Sequence, residues 1–336
     1  MEITKIKLLR VLEILRETDE DHPYTANEII AKLKLYGLDA ERKAVLRDIA
    51  ALQDYGYDIV LHSDNKRGYF MASREFEDWE LKVLMDAAVG ASFLTEENSR
   101  QLAEKLSALS SGSGRKTLRA VTPLASTVKN GDPTTKNNID VLLTAIRRKK
   151  QVVFQYIYTG PDLKKHLRFD GREYPISPYA LIWRNDRYYL VGKYGDYDTL
   201  SYYRLERIRN IRVSEKSAVD PERFLGKNAD LRIKEFVERN LNNYSGETTA
   251  VLLKIEEERI DLLFDTFGSD FRVESRTDGE LTVRVTVNDG WGLTAWLLEH
   301  GDCVQIIEPA VIREEVIHYL DLIRKKYADM QDSGKE

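Results

Sequence analysis

Apolar positions recur at helical spacing through the first 55 residues. Leu8, Leu12 and Leu15 share one face of a helix over residues 5–17, with Lys5, Glu13 and Glu17 turned away. Thr25 stands three residues before Glu28, the pattern of a capping box. It opens a short helix that buries Ile29, Ile30 and Leu33 and stops near Gly37. Asp39 is expected to cap a third helix over 40–55, with Val45, Ile49 and Leu52 as its inward stripe. The period then falls to two: 57–61 predicts a strand, 64–68 a basic hairpin turn and 69–71 the return strand. Three short helices followed by a basic-tipped hairpin predict a winged helix-turn-helix over residues 1–72.

Residues 73–135 predict a helical connector. Trp79, Val83 and Leu84, then Leu102, Leu106 and Leu109, recur at helical spacing, while 110–116 is read as a flexible break and 129–136 as a loop. An amphipathic helix over 139–150 with a basic end opens the next segment, 136–216. Strands are expected at 152–158, 165–176, 179–183, 187–194 and 200–213, with turn residues and no helix between them. That order predicts a small β-barrel of Sm-like or SH3-like type. Helix-like patterns return in a linker over 217–245. The last segment, 246–330, reads strand, helix, strand, strand, helix, strand, helix, which predicts a ferredoxin-like α/β sandwich with a helix appended. The expected class is multidomain α+β.

Composition is that of a globular chain, with 42% hydrophobic residues among 336. No apolar run approaches the roughly 18 residues that cross a bilayer, and the amphipathic N-terminus does not resemble a signal peptide. The single cysteine, Cys303, excludes a disulfide framework. A cytoplasmic protein without a membrane partner is expected. The net charge of −5 hides an asymmetry: residues 136–216 carry +8 and hold 10 of the 18 tyrosines, whereas 217–336 carry −10. A basic, tyrosine-rich segment points to an anionic partner.

Signals for catalysis are nearly absent. The five histidines fall at no metal-ligand spacing, no phosphate-cradling glycine loop follows a strand, and nothing singles out a pair of carboxylates. No enzyme, metal or cofactor is expected. Binding signals are stronger. Lys43 and Arg47 fall opposite the stripe of Val45, Ile49 and Leu52, with Arg42 beside them and Lys66 and Arg67 at the wing tip. Outward residues of a third helix in this setting can enter a major groove; on an isolated helix they would be a solvated face. In the barrel, strand alternation separates Tyr188 from Tyr189 and puts Arg204 on the face of Tyr202, with Arg207 where that strand leaves the barrel. Guanidinium groups beside aromatic rings suit phosphates and stacked bases, although tyrosines also fill sheets as ordinary β-formers.

The runs Tyr174-Pro175-Ile176-Ser177-Pro178-Tyr179-Ala180-Leu181, Arg187-Tyr188-Tyr189-Leu190-Val191 and Tyr203-Arg204-Leu205-Glu206-Arg207-Ile208 resemble a WYL domain. Lys43 to Ile49, with Lys66-Arg67-Gly68-Tyr69, resembles the winged helix of the same bacterial regulators. Tyr188 stands where the family has its eponymous tryptophan, and Ala44 where related sequences often carry threonine. The resemblance implies a homodimeric transcription factor that binds a double-stranded DNA operator. Its barrel would sense a ligand, in some members single-stranded DNA. The implied sensor residues are Tyr156, Ser177, Tyr179, Tyr188, Tyr189, Arg204 and Arg207, with His166 and Arg168 beside them. Two alternatives stay open: a module binding single-stranded DNA or RNA mainly through the barrel, and a sensor of a small anionic effector.

Overall fold

A computed structural model describes the chain apart from residues 1, 63–67, 123–128, 130, 185, 196, 239–247 and 333–336. The chain divides into two compact units, Met1–Lys136 and Asn137–Glu336.

The first unit begins with α1 (Glu2–Arg16), α2 (Ala26–Leu35) and α3 (Arg42–Tyr55), then the hairpin β1 (Ile59–Leu61) and β2 (Tyr69–Met71). Val11, Leu15, Ile29, Leu33, Val45 and Ile49 meet in one core. At about 1.5–3 kcal/mol for each large side chain removed from water, that core is what holds three short helices that would be marginal alone. The Thr25–Glu28 capping box forms, with Glu28 N–H donating to Thr25 Oγ1 at 3.2 Å and Thr25 N–H to Glu28 Oε2 at 2.7 Å. The expected Asp39 cap does not form. The third helix starts at Arg42 behind Glu41, whose side chain makes no cap bond. It ends where Gly56 takes φ +115°, a conformation that side chains rarely adopt. The tip of the hairpin, with Lys66 and Arg67, lies outside the described residues.

Four helices follow: α4 (Asp78–Gly90), α5 (Glu96–Ser107), α6 (Gly112–Val121) and α7 (Thr134–Arg147), the last crossing into the second unit. Leu81, Met85, Val89, Ala103 and Leu118 are the buried set. Trp79, Val83, Leu102 and Leu109, which the spacing singled out, are exposed. The supposed break at 110–116 is instead a helix start. Ser111 Oγ accepts from Gly114 N–H at 3.0 Å and donates to Asp19 at 2.6 Å, and Ser113 donates to the same carboxylate oxygen at 2.6 Å. His22 Nδ1 lies 2.7 Å from the other oxygen. Burial works against the charge of Asp19, yet these three bonds hold its carboxyl at about 2. A Cβ at Gly114 would lie 2.1 Å from Ser110 Oγ and 2.6 Å from Asp78 Oδ2, so this glycine marks close packing. Small polar residues look like a linker in sequence because the carboxylate that organises them is some 90 positions upstream.

The second unit opens with β3 (Lys150–Thr159), β4 (Lys165–Leu167), β5 (Glu173–Arg184), β6 (Arg187–Tyr194), β7 (Leu200–Arg204) and β8 (Ile208–Ser217). The antiparallel order is β4-β3-β5-β6-β7, with β8 on β3. Two expected strands differ. Residues 165–176 are broken after Leu167 by a 3-10 turn, Arg168–Gly171, and the rest joins 179–183 in the single strand β5. Likewise 200–213 is broken by the 3-10 turn Leu205–Arg207. Leu142, Phe154, Ile176, Leu190, Leu205 and Ile208 fill the core beneath the sheet. Two helices, α8 (Glu222–Leu225) and α9 (Ala229–Glu238), lead onward.

The last part runs β9 (Thr248–Glu256), α10 (Asp261–Phe267), β10 (Phe271–Thr277), β11 (Glu280–Asn288), α11 (Trp291–Glu299), β12 (Val304–Glu308) and α12 (Ala310–Asp332). Its antiparallel sheet has the order β10-β11-β9-β12. Val251, Leu253, Val283, Leu293 and Trp296 form its core. The chain is thus a mixed α/β protein of several parts, each with an antiparallel sheet or a helical core of its own.

Candidate functional site

Two surfaces gather the residues that sequence reasoning selected. On α3, Val45 and Ile49 are buried while Arg42, Lys43 and Arg47 are exposed on the opposite side. Among the described residues none forms an ion pair with these three. The acidic neighbour Asp48 is engaged by Lys7 at 3.0 Å, so it does not neutralise them. Three exposed cations on one short helix form a local positive face in a segment whose net charge is negative.

The second surface is a cleft of about 450 Å³ lined by Tyr156, Ile157, Tyr158, Arg168, Phe169 and Arg207. Each wall has a local cause. Tyr156 points inward from β3, and its hydroxyl accepts the backbone N–H of Arg204 at 2.9 Å. Burial pushes its pKa up, partly opposed by Arg207 and Arg204, so it stays a neutral phenol with a proton to donate. Arg207 closes the 3-10 turn between β7 and β8. That turn is fixed from within by buried Asn138 on α7, whose Nδ2 donates to the carbonyls of Leu205 at 3.0 Å and Ile208 at 3.2 Å. The far wall is Arg168-Phe169, where Phe169 has φ +49° and Asp170 φ +51°. Such values cost non-glycine residues of the order of 1–3 kcal/mol each. Phe169 is exposed, with the Arg168 guanidinium 4.9 Å from its ring centroid.

The remaining expected sensor residues lie elsewhere. Ser177 is buried; its Oγ accepts from Val219 N–H at 3.0 Å. The Tyr179 hydroxyl donates to the Val219 carbonyl at 2.9 Å, and burial pushes it up to about 12. Together they fasten the chain leaving β8. The groove beside Tyr179, about 840 Å³, is larger than the cleft. It sets Asp220, Glu222 and Asp230 against Lys149, the wrong balance for an anion. Tyr188 packs into the core, and burial raises its pKa. Tyr189 meets Tyr202 edge-on at 6.2 Å. His166 pairs with Asp162 at 2.8 Å on an exposed hairpin and does not line the cleft. Arg204 borders the cleft through its backbone, while its side chain is held by Glu206, with Nε 2.6 Å from Oε1.

Sequence reasoning missed Asn138, Phe169 and Glu206. Glu206 lies inside the run 203–208, and its signal was a lone acid between two arginines, Arg204 and Arg207. Asn138 carried no signal, because its partners are carbonyls nearly 70 positions away. Among the described residues no group of His, Cys, Asp or Glu could hold a metal ion, and no helix is long and apolar enough to cross a membrane.

Comparison with known families gives two matches, the WYL domain over residues 137–213 and the WCX domain over 247–322. No curated protein matches. Among solved structures, the chain is similar to proteasome accessory factor B/C (PafBC) of Arthrobacter aurescens. The identity is 18% over 94% of this chain and 48% of that one, with a TM-score of 0.30. It is also similar to a CRISPR Cas-related protein, at 13% identity over 79% of this chain and 76% of that one, with a TM-score of 0.40. The chain spans about half the length of the first of these.

Proposed function

From the premise that this chain is a WYL-domain protein with a WCX domain behind it, we propose that it is a DNA-binding transcriptional regulator. Its N-terminal helices and hairpin act as a winged helix-turn-helix. The observation that carries this is the outward placement of Arg42, Lys43 and Arg47 on α3, opposite the buried Val45 and Ile49. A third helix so exposed enters a major groove, where Arg47 and Lys43 reach base edges or phosphates and Lys66 and Arg67 reach the neighbouring backbone. The six-stranded sheet is an Sm-like sensor and the C-terminal β-α-β-β-α-β part a ferredoxin-like sandwich. The working form is a cytoplasmic homodimer that binds ligands rather than transforming them.

The effector in this reading is an anionic nucleic acid or nucleotide in the Tyr156–Arg207 cleft. Arg168 and Arg207 supply the positive charge, and Phe169 and Tyr158 supply rings on which a base can stack. Ligand acts by preferring one arrangement of the winged helices over another. The test is a salt-dependent anisotropy titration with duplex from upstream of the gene, scrambled duplex and a short single strand. A hundredfold preference for the upstream duplex is expected. Equal duplex binding with a tighter single strand would move the function to the cleft alone.

A further inference from the structure

The outer face of β6 and β7 is closed by the chain itself. Phe236, near the end of α9, stacks flat on Tyr202, with ring centroids 4.9 Å apart and planes at 14°. Two bonds seat the helix end: the Tyr202 hydroxyl donates to the Phe236 carbonyl at 3.2 Å, and Arg184 donates to the Val237 carbonyl at 2.5 Å. Two residues along the same face of β7, Arg204 is held by Glu206, whose Oε1 lies 2.6 Å from Nε and 2.5 Å from a terminal nitrogen. Arg187 approaches the same oxygen at 3.8 Å. The other oxygen, Oε2, is buried and has no hydrogen-bond partner among the described residues.

A ring stacked on a tyrosine and a carboxylate between two guanidinium groups are the contacts that a nucleotide would make there, base on Tyr202 and phosphate on Arg204. The two positions are about 6.6 Å apart along a strand, close to the span from a base to its phosphate. We propose that this face is a second nucleotide-binding site, separate from the Tyr156–Arg207 cleft, and that Phe236 and Glu206 occupy it as an internal stand-in. The ligand is one nucleotide unit of a single strand. To bind, it displaces α9 from Tyr202 and Glu206 from Arg204. The Glu206 pair is the weaker half of the seal. An acid with an unpartnered buried oxygen is incompletely satisfied, which lowers the cost of releasing it. The proposal rests on the reading of the second unit as a nucleic-acid sensor.

The experiment titrates a short fluorescent single-stranded oligonucleotide against the full-length protein and four variants. Phe236→Ala and Glu206→Gln each open half the site and are expected to bind about tenfold tighter than wild type, the scale of one freed stacking or charged contact. Tyr202→Ala combined with Phe236→Ala loses that gain. Hydrogen exchange on the wild type shows residues 229–238 losing protection when the oligonucleotide is added. Unchanged affinity in both single variants, with protection over 229–238 retained, overturns the proposal. Arg207→Ala reports on the other cleft. If wild type binds the oligonucleotide and Arg207→Ala weakens it while the Phe236 and Glu206 variants match wild type, the sensor reading stands and this site falls. If no variant binds, the sensor reading falls as well.

Discussion

The two candidate surfaces reach positive charge by opposite routes. The α3 face belongs to a segment with more acids than bases, yet its three cations project into solvent without a partner among the described residues. The sheet of the second unit lies in the most basic stretch of the chain, yet much of that charge is committed internally. Glu206 holds Arg204 and Arg187, Glu173 grips Arg212 with two bonds of 2.8 Å, and Arg172 donates to the Tyr194 hydroxyl at 2.6 Å. Net charge therefore ranks the two surfaces wrongly. What a partner feels is the charge left after intramolecular pairing, and by that measure the neutral-looking helix is the more open cation. The arginines of the sheet become available only when something competes for their partners.

Four measurements bear on that contrast, the three substitutions of charge and hydrogen bonding that follow running from the largest expected effect to the smallest and a pH measurement standing apart. Asn138→Ala removes the donor that satisfies two buried carbonyls under the Arg207 turn. It should destabilise the second unit by about 1–3 kcal/mol in denaturant unfolding and lower the affinity of the cleft, while the first unit unfolds as before. A loss shared equally by both units would show that they fold together and would remove the basis for treating them separately. Arg47→Ala should cost roughly 1–3 kcal/mol in operator affinity. If Arg47 reads a base, selectivity at one position relaxes; if it meets a phosphate, all sequences weaken alike and the salt slope drops by about one. No change in either would break the contrast at its stronger end. Arg212→Ala, which breaks an exposed pair, should change oligonucleotide binding and stability by no more than about 0.5 kcal/mol. A large effect would show that Arg212 contacts the ligand despite its pairing.

The last measurement is of pH. The folded pKa of Asp19 lies near 2, below its ordinary value of 3.8. The stability that it contributes is therefore complete above pH 4 and is lost as pH falls from about 4 to about 2. Asp19→Asn should flatten this acid limb in the first unit by of the order of 1 kcal/mol, after solvent screening is allowed for. An unaltered limb would mean that Ser111 and Ser113 do not depend on that charge.

Legibility in the sequence followed the range of the interactions. Local devices could be read: the Thr25–Glu28 box, the stop near Gly37, where φ is +71°, the Val45–Ile49–Leu52 stripe, and the alternating order of strands and helices after residue 248. All depend on neighbours within a turn or a strand. Features set by distant partners could not be read in this way. Nothing near Ser111 announces Asp19, nothing near Phe236 announces Tyr202, and the apolar spacing of Trp79 and Val83 does not say that Leu81 and Met85 take the inner face. The candidate site was half legible for the same reason. Tyr156, Arg168 and Arg207 do meet, but Ser177 and Tyr179, implied by the same resemblance, lie elsewhere. Residues that are close in a family signature can face opposite ways across a sheet.

The Asp19 hub also has a consequence for anyone who wishes to cut, tag or graft this chain. Ser110 to Gly114 has the composition that engineers choose for a fusion junction or a protease site. Insertion there would tear two serines from their carboxylate and force a side chain into space that has none to spare. The hairpin tip at Gly160–Lys164, exposed over most of its length, is the better place for a reporter.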